Sequence, residues 1–352
     1  MSSVVADQEA LNTFIAQHTE DPFYYHPAWL DLLSRLYHYP MRLLLAHGAD
    51  GALTGLLPVM AVRSALTGRR VVGLPFSDCC PPLAANDAAM DTLVDQALAL
   101  AREERARYLE LRAGAQPALE ARDDLTRNDL YGRWVVPLER DTQAMWKRFN
   151  YAAQKQVKKS RKEHMTVRVS ESVDDVDIYY RLHLLTRSRK HGMPAQSARF
   201  FRDVWQTFHA ADPRVGQARL LLAEHQGATV AGLILLTSGS TVHAAYGASD
   251  PRYLHMGPNN ALMWEAISWA GEQGFTRFDL GRTARDNAGL VSYKKSLGGV
   301  EESLAYYYHP QIAGLASTSE TSWKYRLLTG AWRRLPLPVS GALGGAIYRH
   351  LG

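Results

Sequence analysis

The sequence predicts an α+β protein made of two halves, and three observations predict it. Its 352 residues exceed one ordinary core of about 100–200 residues. Hydrophobic residues at 46% and charged residues at 21% give the balance of a packed soluble chain, not a disordered or fibrous one. The order of helix-period and strand-period segments in residues 1–140 returns in residues 141 to about 310.

In the first half, Ala28 to Tyr37 has the apolar spacing of an amphipathic helix. Met41 to Ala46 and Leu53 to Val62 are apolar runs parted by His47-Gly48-Ala49-Asp50-Gly51, a hairpin signal. Val71 to Pro75 reads as a strand, Asp91 to Arg107 as a long helix, and Tyr108 to Arg112 and Trp134 to Pro137 alternate like strands. In the second half a basic helix, Thr142 to Lys162, precedes a strand, Thr166 to Val169, and helices at Val176 to His191 and Ala198 to Ala210. Ala218 to Glu224, Thr229 to Thr237 and Thr241 to Ala245 read as three strands joined by glycine-containing turns. A helix, Asn259 to Gln273, and a strand, Arg277 to Leu280, complete the repeat. The expected domains are 1–140 and 141–315, followed by a basic, aromatic tail, 316–352.

Composition excludes several function classes. The two cysteines, Cys79 and Cys80, are adjacent, which rules out a disulfide framework and a zinc cluster and points to a cytoplasmic setting. Thirteen histidines lack metal-ligand spacing, so no metal site is expected. Met1 to Leu11 carries Asp7 and Glu9 and reads as no secretory signal, and no run reaches the roughly 18 apolar residues of a spanning helix. The phosphate-binding loop, the Gly-x-Ser-x-Gly elbow, the His-Glu-x-x-His zinc motif and the dinucleotide fingerprint are missing. The spaced glycines of Gly341 to Gly345 follow prolines, not a strand, and read as a loop and helix start.

Three segments of the second half carry a family resemblance. They are Tyr246-Gly247-Ala248-Ser249-Asp250 running into Met256-Gly257-Pro258-Asn259-Asn260, then Gly274-Phe275-Thr276-Arg277-Phe278-Asp279-Leu280-Gly281-Arg282, then Gly289-Leu290-Val291-Ser292-Tyr293-Lys294-Lys295-Ser296-Leu297-Gly298-Gly299. In this order they resemble the FemAB-like branch of the GNAT superfamily, whose members transfer acyl or aminoacyl groups to amines, typically in cell-envelope synthesis. The resemblance extends more loosely to the basic helix, to Thr186-x-x-Arg189-x-x-Gly192-Met193-Pro194, and to Leu74-Pro75-Phe76-Ser77-Asp78. It implies tandem GNAT-like domains (the acyl-CoA N-acyltransferase fold, duplicated), with mixed sheets flanked by helices. It also implies acyl-CoA or aminoacyl-tRNA as co-substrate with no tightly bound cofactor. The implied acceptor is an envelope precursor such as a peptidoglycan peptide or a polysaccharide amino sugar, lipid-linked or not.

Acyl transfer to an amine needs stabilisation of a tetrahedral oxyanion. The resemblance makes Lys294 the candidate cation, although Leu297 stands where the family has an aromatic residue, and Lys295 is expected on the opposite face of a strand. Asp279 ends an apolar strand and is expected to orient the amine or to pair with Arg282. Asn259 and Asn260 open a helix, as caps or as part of an anion-binding N-terminus; the Gln/Arg-x-x-Gly-x-Gly/Ala pattern that grips coenzyme A in ordinary acetyltransferases is absent there. Tyr246, Ser77 and Asp78 are further substrate-binding candidates, and Arg187 and Arg189 are candidates for a substrate phosphate or plain surface charge.

Charge is concentrated in two places. Between Met145 and Lys162 there are seven cations and no acid, and Lys155, Lys158, Lys159 and Lys162 share one helical face. That face suits a polyanion, tRNA or a diphosphate among them, or is a solvated surface. From Thr321 onward Lys324, Arg326, Arg333, Arg334 and Arg349 occur without an acid and supply the whole net charge of +5. Their mixture with Trp323, Tyr325, Leu327, Leu328 and Trp332 fits either peripheral contact with an anionic membrane or packing on the body. A non-catalytic membrane-surface or polyanion-binding protein of an envelope-synthesis complex is the rival reading.

Overall fold

The computed structural model describes residues 8–311 and 323–352, with side chains of 323–328 outside that description. Residues 316–322 of the expected tail, and the side chains of Trp323, Lys324, Tyr325, Arg326, Leu327 and Leu328, therefore lie outside the described residues. In chain order the strands are β1 (Met41–His47), β2 (Leu53–Ser64), β3 (Gly68–Val72), β4 (Leu83–Ala84), β5 (Leu109–Arg112), β6 (Thr126–Pro137), β7 (Thr166–Val169), β8 (Gln217–His225), β9 (Ala228–Ser238), β10 (Thr241–Ser249), β11 (Arg277–Ala284) and β12 (Val300–His309). Among the described residues one compact unit takes 8–132, 303–311 and 352, and the other takes 133–302 and 323–351.

The first unit is a meander followed by a crossover. β1 pairs antiparallel with β2 and β2 with β3, while β3 pairs parallel with β5 through Val71↔Leu109 and Val72↔Glu110. A parallel neighbour requires a long connection, and the helix Asp87–Glu103 supplies it. Leu93, Val94 and Ala97 of this helix join Val59, Val71 and Leu109 in one buried cluster. The helix starts four residues before the sequence expectation because Asn86 caps it, its Oδ1 accepting from Ala89 N–H at 2.9 Å. It stops short of Arg107 because Arg105 takes a left-handed φ of 50°. Tyr306 to His309 of β12 pair antiparallel with Leu109 to Arg112, so these residues belong to the first unit, although the sequence boundary at 315 assigns them to the second.

The second unit repeats that plan. β7, β8, β9 and β10 form an antiparallel meander, the helix Pro258–Glu272 crosses over, and β11 returns parallel to β10, with β6 on its other side. Ala266, Ile267 and Ala270 of the crossover helix pack with Leu235, Val242, Phe275 and Phe278. Burying one apolar helix face on a sheet in each unit is the doubled order seen in the sequence.

Four local expectations are corrected here. The basic helix is two helices, Thr142–Arg148 and Tyr151–Lys162: Phe149 turns extended (ψ 130°) to bury its ring against Trp146 and Trp264, and Asn150 caps the second, accepting from Ala153 N–H at 2.9 Å. The helix expected to end at His191 begins at Val173 and changes at Leu185 to a wide π-helical turn, Leu185–His191, closed by Gly192 at φ 65°. The segment around Lys294 is a helix, Ala288–Ser296, not a strand, because Asn287 caps it by accepting from Leu290 N–H at 3.1 Å. Gly341 to Gly345 lie inside a helix, Leu337–Tyr348, where Gly344 meets the Ala195 backbone too closely for a Cβ.

Residues 329–351 pack on the second unit. Ser188 Oγ donates to Ser340 Oγ at 3.0 Å, Arg333 Nη2 donates to the Lys190 carbonyl at 3.1 Å, and Arg189 donates to the Arg333 carbonyl. Packing on the body is thus the reading the structure gives for this part of the tail. No helix among the described residues is long and apolar enough to cross a membrane.

Candidate active site

β10 and β11 run side by side for three residues only, Thr241 to His243 against Arg277 to Asp279, and β10 then stays with β9 as far as Ser249. The strands part immediately after His243 and Asp279. Beyond that point a cavity of about 570 Å³ opens. Its walls come from β9 (Gly232, Leu233), β10 (Gly247, Ala248, Ser249), the crossover helix (Asn259, Leu262, Met263), the π-helical turn (Thr186, Lys190, His191) and the helix Ala288–Ser296 with its cap (Asn287, Leu290, Tyr293). The carboxyl end of parallel strands is where α/β sheets generally place ligands.

The parting of the strands is fixed by a buried polar network. Asp279, 3% exposed, accepts from Arg133 Nε at 2.9 Å and Nη2 at 2.8 Å, from Gly281 N–H at 2.7 Å and from His243 Nδ1 at 3.0 Å. Burial alone would push this carboxyl up, but the Arg133 charge and the His243 bond outweigh it and hold Asp279 well below the usual carboxylate range. An ionised Asp279 is an acceptor, which assigns the His243 proton to Nδ1. Gly281, at φ 76°, lets the chain turn back toward the carboxylate.

Lys294 is 5% exposed, and its Nζ donates to the carbonyls of Gly281 at 2.8 Å and Arg282 at 3.0 Å. It thus ties the helix Ala288–Ser296 to the end of β11, one residue from Tyr293, which faces the cavity. Arg282 enters this network through its carbonyl, while Asp279 takes its charge partner from Arg133.

A second feature is a bulge in β10. The ladder passes from Ala244↔Leu235 to Tyr246↔Ile234, leaving Ala245 without a partner just past the split. Tyr246 packs edge-on against Phe200 and Phe201, and its carbonyl accepts from Tyr179 Oη at 3.0 Å. Its three following residues line the cavity.

The crossover helix begins at Gly257, whose φ of 78° makes it the N-cap, so neither Asn259 nor Asn260 caps the helix. A Cβ at Gly257 would sit 2.6 Å from the Gln156 carbonyl, which explains why glycine, not asparagine, takes that place. The first intrahelical bond is Ala261 N–H to Gly257 O at 3.1 Å, so the N–H groups of Asn259 and Asn260 precede the ladder, and Asn259 lines the cavity.

The other candidates fall elsewhere. Arg187 Nε donates to the Pro194 carbonyl at 3.1 Å and Arg189 holds the Arg333 carbonyl at the end of the helix Trp323–Arg334, so both brace the π-helical turn. Ser77 and Asp78 belong to the first unit: Ser77 Oγ accepts from Trp29 Nε1 at 3.3 Å, and the Asp78 carbonyl accepts from Tyr306 Oη at 2.8 Å. On the helix Tyr151–Lys162, Ala153, Val157 and Ser160 are buried, Lys155, Lys158 and Lys162 are exposed and Lys159 is half-buried. Sequence reasoning missed Arg133, His243 and Tyr293. The signal for His243 was its place near the start of a strand preceding the crossover, matching that of Asp279 after it.

Residues 147–295 match the family described as an acetyltransferase (GNAT) domain. Two curated relatives, Lipid II:glycine glycyltransferases from two strains of Staphylococcus epidermidis, are 30% identical over 82 residues, covering 22% of this chain and 20% of each relative. The match thus spans a fifth of their length. Among solved structures, FemX superposes with a TM-score of 0.66 at 15% identity, covering 87% of this chain and 97% of that one. L-PGS from Bacillus licheniformis gives 0.57 at 13% identity (94% and 97%), and a tandem GNAT protein from the clavulanic acid biosynthesis pathway gives 0.52 at 12% (88% and 97%). These likenesses establish the fold over most of the chain, a doubled GNAT architecture of mixed sheets flanked by helices. Residues 147–295, the part of the chain that is similar to the GNAT acetyltransferase domain, hold every residue that lines the cavity.

Proposed function

We propose that the second unit transfers an activated acyl group, carried by acyl-CoA or aminoacyl-tRNA, to an amine of a cell-envelope precursor, either a peptidoglycan peptide or a polysaccharide amino sugar. The observation that carries this reading is the split of β10 from β11 beside a cavity of about 570 Å³. The amine attacks the acyl carbon directly, a C–N bond forms, and the C–S or C–O bond to the carrier breaks. The proton lost by the amine balances the one taken up by the leaving group, and no covalent enzyme intermediate is formed.

In this reading the bulge at Ala245 supplies a backbone N–H to the developing oxyanion, a donor worth about 10²–10³ in rate where it is preorganised. Asn259 and Asn260 offer helix N-terminal N–H groups to a carrier phosphate. Lys294 acts as a positioning residue: it holds the carbonyls of Gly281 and Arg282 and keeps a positive charge at the end of β11, while Asp279 fixes the split from below through His243 and Arg133. Lys155, Lys158, Lys159 and Lys162 form the docking face for a polyanionic carrier such as tRNA. The activity for which the curated relatives are named, glycyl transfer on Lipid II, supports the envelope acceptor and the aminoacyl donor.

The test is a mass-spectrometric screen of the purified chain with acyl-CoA and charged-tRNA donors against a peptidoglycan peptide and an amino sugar. A mass gain of one acyl group on an amine is expected with one donor class. No gain with any pair would overturn the reading.

A further inference from the structure

Among the described residues, the wall of the cavity formed by the π-helical turn is positive and meets no carboxylate. Lys190 and His191 line the cavity, and its lining contains no aspartate or glutamate. Among the described residues Arg187, Arg189, Lys190 and Arg333 have no carboxylate partner; the guanidinium groups are spent on the carbonyls of Pro194, Arg333 and Lys190. His191 feels the result: burial, then the charges of Lys190, Arg187 and Arg333, hold its imidazole down to about 4, so it stands neutral at pH 7.

A second, independent observation comes from another lining residue of the cavity. The hydroxyl of Tyr293 is buried, lines the same cavity and has no hydrogen-bond partner among the described residues. Burial keeps it protonated, raising it well above the ordinary tyrosine range. A buried hydroxyl left without a partner is costly, so such a group in a cavity marks the place of a ligand acceptor. The helix Trp323–Arg334 is joined to this arrangement through Gly192, where a Cβ would meet the Thr329 carbonyl at 2.6 Å, and through Arg333, which holds the Lys190 carbonyl at 3.1 Å.

We propose that this cavity grips a phosphate group of the acyl carrier between Lys190 and the Tyr293 hydroxyl, with Arg333 of the helix Trp323–Arg334 as the positioning residue that holds the Lys190 backbone. The proposal rests on the acyl-transfer reading for the word carrier only; phosphate binding stands or falls without turnover. The shared chemistry is a phosphate ester next to adenosine. Its two sources are the 3′-phosphorylated ADP portion of coenzyme A and the 3′-terminal cytidine–adenosine step of a tRNA.

Equilibrium titration of the full chain with adenosine 3′,5′-bisphosphate and with the dinucleotide CpA distinguishes the sources. One of the two is expected to bind, with affinity falling about 10-fold in Lys190→Gln and in Tyr293→Phe, and with a shallower salt dependence in Lys190→Gln and Arg333→Gln. Arg334→Gln, a change at an exposed neighbour, is expected to bind as the parent does. Because Tyr293→Phe removes one oxygen that is paired with nothing among the described residues, its melting temperature is expected to stay at or above the parent value, which separates ligand loss from misfolding. Binding of neither probe, or equal binding by parent, Lys190→Gln and Tyr293→Phe, would overturn the proposal. Loss of acyl transfer in the donor screen with probe binding retained would overturn the enzymatic reading instead.

Discussion

Replacing Lys294 by methionine keeps the side-chain length and removes the charge, which isolates what the ammonium does. The parent group is 5% exposed and donates to two backbone carbonyls at 2.8 and 3.0 Å. Hydrogen bonds from a charged donor contribute about 1.5–3 kcal/mol each, so the pair amounts to about 3–6 kcal/mol gross. Desolvating a buried ammonium opposes this by a fraction of the same size, leaving a net loss of about 2–4 kcal/mol in Lys294→Met. Urea unfolding followed by tryptophan fluorescence reads that loss as a lower midpoint at unchanged slope. The acyl-transfer rate, measured below the new transition so that the variant is folded, is expected to drop by about 10²-fold because the end of β11 and the neighbouring Tyr293 lose their anchor. Lys294→Arg should regain part of the stability. A Lys294→Met protein within about 0.5 kcal/mol of the parent would refute the reasoning that these two carbonyls depend on the ammonium.

Three further outcomes follow from single features. Gly257→Ala combines a left-handed φ of 78° with a 2.6 Å approach to the Gln156 carbonyl, so a thermal melt should show a loss of at least about 1–2 kcal/mol; an unchanged melt would contradict the close approach. His183 is buried and bonded to Gln196 at 3.0 Å; burial, with the Arg187 charge, holds it down to about 3 against an unfolded value near 6.5. Its folded form binds fewer protons, so its contribution is complete above pH 6.5 and falls on acidification by up to about 1.4 kcal/mol per pH unit toward pH 3; His183→Gln should flatten the dependence of the urea midpoint between pH 7 and 5. Changing Lys155, Lys158, Lys159 and Lys162 together to glutamine should lower the salt slope of RNA binding by about 3, at about 0.7 per lysine; an unchanged slope would remove the polyanion face.

Much of the fold was legible because long periodic segments override local detail. The hairpin of β1 and β2, the three-strand meander of β8 to β10 and both crossover helices follow from apolar spacing and glycine turns. What escaped were features decided by one residue. Asn150 and Asn287 cap helices by short side-chain bonds, and that chemistry broke the long basic helix and made a helix where a strand was expected.

The site was legible in part for a similar reason. Asp279 and Lys294 stood out by residue type and by family resemblance, but the partner of Asp279 is Arg133, which lies 146 positions away, so no local pattern could reveal it. Tyr293 was overlooked beside Lys294 because only the cavity shows that its hydroxyl is left unsatisfied. Arg187 and Arg189 stood out as phosphate candidates, yet their donors turn to the backbone of Pro194 and Arg333, a use of charge invisible before the end of the helix Trp323–Arg334 is in place.

The central claim, that acyl transfer takes place where β10 leaves β11, is tested most directly by photolabelling. An acyl donor bearing a diazirine on its acyl group, irradiated with the full chain and mapped by peptide mass spectrometry, is expected to mark residues 245–249 or 287–293. Labelling confined to residues 8–132, or scattered without competition by unlabelled donor, would contradict it.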